Sequence, residues 1–286
     1  MSLALTKYHL STPEIRLFMR LVLGHAPSSR RSQSGDLNPA CLPDGTGIAF
    51  VRETPQGKEL FVFDLRHKQL SQITFGMGVR PMFSLSPDGK QLAYVAGRTK
   101  QVYVVGIESR QSAQLTTTVE GKDWGGPRAL VWSPDGKRLA LAYFEKAPYE
   151  TSFYVLDILT RRLVSIPTPV ANAPLTWAPW SPEGTKLALG GMSRTVIVDL
   201  SNEQPHVVRE VTGYVQNVHW SPDGTKLAFE HGRQDRYCDN VSVLDLQSGF
   251  RKIVNRWLLE YRCFMVHIGR LILKTTPSLV IFRVVT

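Results

Sequence analysis

Hydrophobic and polar positions follow one rhythm along most of this chain: short apolar runs of strand length, parted by polar turns. The clearest instance spans residues 129–144. Ala129-Leu130-Val131-Trp132 is an apolar run, Ser133-Pro134-Asp135-Gly136 interrupts it, and Leu139 to Phe144 resumes it. Ser133 suits the first position of a type I turn, Pro134 presets φ for the second, and Asp135 tolerates the third. Gly136 can then take φ > 0, which predicts a hairpin closed by a glycine bulge. An acidic residue in so regular a motif invites a catalytic reading. Turn geometry accounts for Asp135 and all its copies.

Those copies recur along the chain. Pro43-Asp44-Gly45 precedes Ile48-Ala49-Phe50, and Ser86-Pro87-Asp88-Gly89 precedes Leu92-Ala93-Tyr94. Ser181-Pro182-Glu183-Gly184 precedes Leu187-Ala188-Leu189, and Ser221-Pro222-Asp223-Gly224 precedes Leu227-Ala228-Phe229. The turn glycines Gly45, Gly89, Gly136, Gly184 and Gly224 are spaced by 44, 47, 48 and 40 residues. Each unit adds a third apolar run (Leu60 to Leu65, Val102 to Val105, Phe153 to Ile158, Thr195 to Leu200, Val241 to Leu246). A fourth follows (Gln69 to Thr74, Ala113 to Thr117, Arg162 to Ile166, Val207 to Val211, Arg251 to Val254). Four antiparallel strands at a period in the forties predict an all-β propeller. The alanines at 49, 93, 140, 188 and 228 would let blades approach closely.

The C-terminal stretch continues the count. Ile268-Gly269-Arg270-Leu271-Ile272-Leu273 reads as a worn turn and strand, and Leu279 to Val285 as a third strand. A sixth blade near 261–286 therefore lacks its fourth strand, and residues 15–23 stand where one could be lent from the other end of the chain. A second reading of that segment is a helix with Thr12 as N-cap, Pro13 as first residue and Gly24 as stop. The expected architecture is a six-bladed β-propeller of four-stranded antiparallel blades, the last closed by an N-terminal strand. Residues 1–37 precede it. The blades fall near 38–75, 80–117, 127–167, 174–212, 215–255 and 261–286.

Charge changes this picture little. The net charge of +10 resides at the two ends, where residues 1–35 contribute +4 and residues 251–286 contribute +6, leaving residues 36–250 balanced. No interleaving of aromatic and basic residues accompanies those ends, so nucleic acid is not the expected partner. Cys41, Cys238 and Cys263 lack metal-ligand spacing and read as free thiols, with a Cys238–Cys263 bridge as the alternative. No run approaches the length of a transmembrane helix. Glu14, Arg16 and Arg20 interrupt what would be the apolar core of a signal peptide.

The motifs Trp132-Ser133-Pro134-Asp135-Gly136, Trp180-Ser181-Pro182-Glu183-Gly184 and Trp220-Ser221-Pro222-Asp223-Gly224 resemble the WD-like repeat of the TolB C-terminal propeller. Leu85 to Gly89 and Cys41 to Gly45 are weaker copies. Related repeats occur in the propellers of prolyl-oligopeptidase-type peptidases. The resemblance covers roughly residues 38–286 and implies the propeller fold. It also implies a periplasmic setting, whereas the N-terminus allows a cytoplasmic one. The extra N-terminal α/β domain of TolB-like proteins is not expected within residues 1–37.

Chemistry is sparse. There is no Gly-x-Ser-x-Gly elbow, Gly-rich phosphate loop, His-Glu-x-x-His or Cys-x-x-Cys. Of seven histidines, His219 alone falls in an innermost strand, where a propeller lyase would hold a metal. The matching positions in other blades are Ala40, Ser84, Val131 and Pro179, which supply no second imidazole. No cofactor or metal is expected. Short uniform turns share one face of the predicted ring, and the blade-to-blade and second-to-third-strand connections, expected to be long and irregular, share the other. That second face carries Asp123, Trp124, Tyr149, Tyr214, Arg233, Arg236 and Tyr237, residue types that anchor interfaces. The expected function is non-enzymatic recognition of a protein or peptide there. The alternatives are a metal-assisted lyase or hydrolase at the central channel, or a detached peptidase-type propeller that docks to a catalytic chain.

Overall fold

The computed structural model describes residues 37–116, 126–144, 151–166, 180–190, 194–202, 204–232, 240–254, 274–276 and 279–281. For residues 144, 214, 216, 217, 232, 274–276 and 279–281 it describes the backbone alone. All regular structure among them is β. The chain divides into two compact units, Met1–Glu120 and Gly121–Thr286.

The first unit holds two antiparallel four-stranded sheets. One is β1 (Leu37–Cys41), β2 (Gly47–Thr54), β3 (Gly57–Asp64) and β4 (Gln69–Gln72), hydrogen-bonded in chain order. The other is β5 (Val79–Leu85), β6 (Gln91–Ala96), β7 (Val102–Gly106) and β8 (Ser112–Gln114), in the same order. The second unit repeats the plan with β9 (Ala129–Trp132), β10 (Arg138–Phe144), β11 (Thr151–Asp157) and β12 (Leu163–Ile166). It continues with β13 (Lys186–Gly190), β14 (Arg194–Asp199) and β15 (His206–Thr212), where Trp180 bridges Leu187 at the place of an innermost strand. Then come β16 (Tyr214–Trp220), β17 (Lys226–Gly232), β18 (Asn240–Asp245) and β19 (Arg251–Ile253). Last, β20 (Lys274–Thr276) pairs antiparallel with β21 (Leu279–Ile281). Residues 15–23, the closing strand or capped helix of the sequence reading, lie outside the described residues, as do Cys238, Cys263 and the stretch 268–273.

Within each unit, consecutive sheets pack face to face through a small-against-large rule. Ala49 and Val51 of β2 meet Leu92 and Tyr94 of β6 within one buried cluster. Ala140 and Ala142 of β10 share a cluster with Leu187 and Leu189 of β13. Ala188 joins Leu227 and Phe229 of β17 in the next. The alternating residues of β2, Ile48 and Phe50, turn to the opposite face and pack with Phe61 and Phe63. Period-2 side-chain geometry thus buries both faces of the second strand. The repeated alanine leaves room for a large side chain from the next sheet.

The repeated turns run at 42–46, 86–90, 133–137, 181–185 and 221–225, the same length each time. In each Ser-Pro-Asp/Glu-Gly copy the glycine N–H donates to the serine carbonyl, for example Gly136 to Ser133 at 3.0 Å and Gly224 to Ser221 at 2.9 Å. Gly136 and Gly224 sit at φ 69° and 68°, left-handed values that an L side chain rarely adopts. The aspartate completes the turn. Asp223 Oδ1 accepts from Ser221 Oγ at 2.5 Å and from the Thr225 N–H at 3.1 Å. The serine also bridges the strand ends. Ser133 Oγ, fully buried, donates to the Arg138 carbonyl at 3.0 Å and accepts its N–H at 2.9 Å.

The turns are also joints between sheets. Pro43 lies against Gly89 and Pro134 against Gly184, so a Cβ added to either glycine would meet the proline ring. The Arg138 guanidinium donates to the Gly184 carbonyl at 2.6 Å and sits 5.2 Å over the Trp180 ring. The Trp180 indole N–H donates to the Val131 carbonyl at 3.2 Å.

A second repeated device secures the other end of the sheets. Thr74 Oγ1 accepts the Leu60 N–H at 2.9 Å and donates to Glu59 Oε2 at 2.6 Å. Glu59, 0% exposed, also accepts the Gly78 N–H at 3.2 Å on its other oxygen. In the next sheet Thr116 Oγ1 accepts the Val102 N–H at 2.9 Å and donates to Gln101 Oε1 at 2.8 Å. Each latch ties the connection that leaves a fourth strand to the start of the third. It also gives a buried polar group its partners.

Two outcomes are expected. Hydrogen bonds from Ser221 and Thr225 hold the Asp223 carboxyl at about 2, below its unfolded value of about 3.9. Its stabilising contribution is therefore present above the unfolded value and is lost as pH falls through about 2. Thermal melting followed from pH 7 to pH 2 should show a shallower acid decline in Asp223→Asn, from a lower starting point. Parallel declines would contradict this. Thr74→Val leaves the Leu60 N–H unpaired and removes a donor from Glu59, at a cost of about 1–3 kcal/mol, whereas Thr74→Ser should retain most of the stability. Urea unfolding checks both, and an unchanged Thr74→Val midpoint would contradict the latch.

Candidate functional site

The two ends of each sheet differ in kind. At the turn end, the side chains of the repeated motif bond to their own turn. The matching third-to-fourth-strand turns do the same: Asp64, Asp157 and Asp245 each cap nearby backbone N–H groups. At the opposite end, the second-to-third-strand connections are residues 55–56, 97–101, 145–150, 191–193 and 233–239. Their lengths vary, as the sequence implies, but those of the first and fourth sheets are short. The expectation that all of them are long is thus corrected: they vary from two residues at 55–56 to seven at 233–239.

Most residues proposed for this end from sequence, Asp123, Trp124, Tyr149, Arg233, Arg236 and Tyr237, lie outside the described residues. Tyr214 opens β16, with its Cα opposite Gly232. The structural turn residues Gly45, Gly89, Gly136, Gly184 and Gly224 all take positive φ, as expected.

His219 occupies the innermost strand, as the repeat alignment requires. Its Cα partner is Ala228, and in the other sheets Ala40 pairs with Ala49, Ser84 with Ala93 and Val131 with Ala140. The register therefore confirms that the described equivalents of His219 are alanine, serine and valine. Burial lowers the His219 pKa, and the Glu230 carboxylate opposes that shift. The ring is accordingly neutral at neutral pH. Among the described residues no group of three His, Cys, Asp or Glu side chains could hold a metal ion. Cys41 is a free thiol whose pKa burial raises.

The connection end of the first unit carries residues that the sequence reading passed over. The Gly97 N–H donates to the Gly78 carbonyl at 2.9 Å. A Cβ built on Gly57 would lie 3.5 Å from the Gly78 Cα, so the β2–β3 turn, the β4–β5 connection and the β6–β7 turn meet around Gly78. Gly76 and Gly78 take φ 67° and 60°. On this platform Phe75 is 61% exposed, and Arg98 and Lys100 of the β6–β7 turn are also exposed. The available signal was an aromatic residue inside Phe75-Gly76-Met77-Gly78, a stretch with no counterpart in the other repeats.

No family profile and no curated protein sequence matches the chain. Solved structures do. Hydrazine synthase from Kuenenia stuttgartiensis aligns with TM-score 0.56 and 19% identity, over 80% of this chain and 68% of that one. The β-propeller domain of Myceliophteria thermophila Cps50 (Swd1) aligns with TM-score 0.54 and 12% identity, over 79% and 73%. A TolB-type protein from Agrobacterium tumefaciens aligns with TM-score 0.52 and 17% identity, over 78% and 81%. At these identities the likeness concerns the fold, and function has to be argued from the site. Antiparallel sheets in chain order, small-against-large packing between them and these neighbours give one conclusion: the chain has a TolB-like β-propeller fold.

Proposed function

We propose that this protein is a non-catalytic propeller that binds a protein or peptide at the connection ends of its blades. One observation carries the reading. The acidic and hydroxyl side chains of the repeat are consumed in closing turns of constant length, while the connections at the other end vary in length and sequence from blade to blade. Constancy at one end serves the fold, and variation at the other serves recognition. The loops 117–125, 145–150 and 233–239 would supply Asp123, Trp124, Tyr149, Arg233, Arg236 and Tyr237, with Tyr214 beside them.

The test is affinity capture from native lysate with wild-type protein and with Trp124→Ala and Arg236→Ala. Interface anchors of these types cost more than about 1–2 kcal/mol when truncated, so at least one variant should lose a specific partner. Capture indifferent to both changes would overturn the assignment of those loops.

The same reading takes the ring as six-bladed. The antiparallel β20–β21 pair supports a further blade after the one ending in β19, and residues 15–23 would lend its outer strand. Removing residues 1–25 should then lower the thermal midpoint of the whole protein, because an opened ring exposes a strand edge and its apolar face. A truncated protein that melts like the full chain would exclude strand closure.

A further inference from the structure

One seam of the second unit departs from the packing that the repeats otherwise keep. Between the first two sheets, Val51, Leu60, Val79 and Ala96 are buried together in one apolar cluster. Val51 pairs with Leu60 in the β2–β3 ladder, and Val79 with Ala96 in the β5–β6 ladder. Between the third and fourth sheets, Ala142 and Phe153 hold the places of Val51 and Leu60, again inside an apolar cluster.

The seam between the fourth and fifth sheets is built differently. Gly190 lies two residues after Ala188, as Val51 lies two after Ala49. His231 lies three after Ala228, as Ala96 lies three after Ala93. Their ladder partners are Thr195 and Val215, in the places of Leu60 and Val79. Glycine and threonine thus stand where the first seam has valine and leucine. Side-chain volume is lost and a hydroxyl is gained.

That exchange leaves a polar niche. Thr195 is 2% exposed, and its Oγ1 is buried with no hydrogen-bond partner among the described residues. Buried hydroxyls are rarely left so, because an unmade bond costs more than a made one gains. A Cβ built on Gly190 would have two heavy atoms within 4 Å, and both are oxygens. Thr195 Oγ1 lies at 3.4 Å and the Val215 carbonyl at 3.9 Å. The first belongs to the fourth sheet and the second to the fifth. The His231 ring is engaged elsewhere, since its Nδ1 meets Ser242 Oγ at 3.2 Å and Arg251 Nε meets the same oxygen at 3.3 Å. Gly190 itself is only partly buried, so the niche borders solvent.

We infer that this niche is a binding site for one structural water. The water donates to the Val215 carbonyl and bonds to Thr195 Oγ1, joining the fourth sheet to the fifth. Two polar partners and the room released by Gly190 are what an internal water requires. The joint lies where β13 passes into β14, at the connection end of the sheets. A solvent-exchangeable bridge there takes the place that apolar contact fills in the first seam.

The experiment is a high-resolution crystal structure of the full chain, together with urea unfolding of Thr195→Val. The structure should show a water peak within about 3.2 Å of both Thr195 Oγ1 and the Val215 carbonyl. Thr195→Val separates a hydrated hydroxyl from an orphaned one by sign. Replacing an orphaned hydroxyl with a methyl group leaves the urea midpoint unchanged or raises it, whereas removing one that holds a water lowers it. The midpoint should therefore fall. Gly190→Ser places its own hydroxyl in the same space, and its crystal structure should lack the water peak. Wild-type density without that peak, or a Thr195→Val midpoint equal to or above that of wild type, overturns the inference. So does a peak that persists in Gly190→Ser, because the water would then occupy some other space.

Discussion

Packing of one sheet upon the next is the interaction on which everything else here depends. A four-stranded antiparallel sheet with apolar residues at successive positions of its second strand cannot leave either face in water. Burying a large aliphatic side chain is worth about 1.5–3 kcal/mol, and each sheet carries several. Ala49 against Leu92 and Tyr94, and Ala188 against Leu227 and Phe229, show how the condition is met. The small residue sets how near two sheets come, and the large residue of the following sheet fills the space. A fixed separation in turn brings the prolines of one turn onto the glycines of the next, and the Arg138 guanidinium onto the Gly184 carbonyl.

Two polar devices hold this apolar stack in register, one at each end. At the turn end the serine hydroxyl and the aspartate carboxylate satisfy the backbone groups that a tight turn would otherwise leave unpaired. At the connection end of the first two sheets a buried threonine links the end of the fourth strand to the start of the third, with Glu59 or Gln101 as its partner. The glutamate of the first sheet reaches further than its glutamine counterpart. It also takes the Gly78 N–H, and so secures the connection that carries Phe75. A device that stabilises the fold thereby orders an exposed surface.

Much of this was legible in the sequence. The spacing of Gly45, Gly89, Gly136, Gly184 and Gly224 marks the blades, and the apolar runs between them place nearly every described strand. These signals are local, because a tight turn needs glycine at φ > 0 and a strand needs alternating side chains wherever it packs. The position of His219 was equally readable, since register in a repeat follows from counting. The function of the Ser-Pro-Asp-Gly stretch was only half readable. Its turn chemistry is local, but the contacts of Pro134 with Gly184 and of Trp180 with Val131 join residues about fifty positions apart.

The sequence by itself thus determined an all-β repeat, its turns, its strands and the alanines between its blades, because each follows from short-range stereochemistry and periodicity. The tertiary structure alone decided the rest. It showed Glu59 to be a buried partner of Thr74 and Gly78, and it brought Gly57, Gly78 and Gly97 to one point. It left Phe75 exposed within the β4–β5 connection. Each of these depends on distance between segments remote in the chain, which no local pattern encodes.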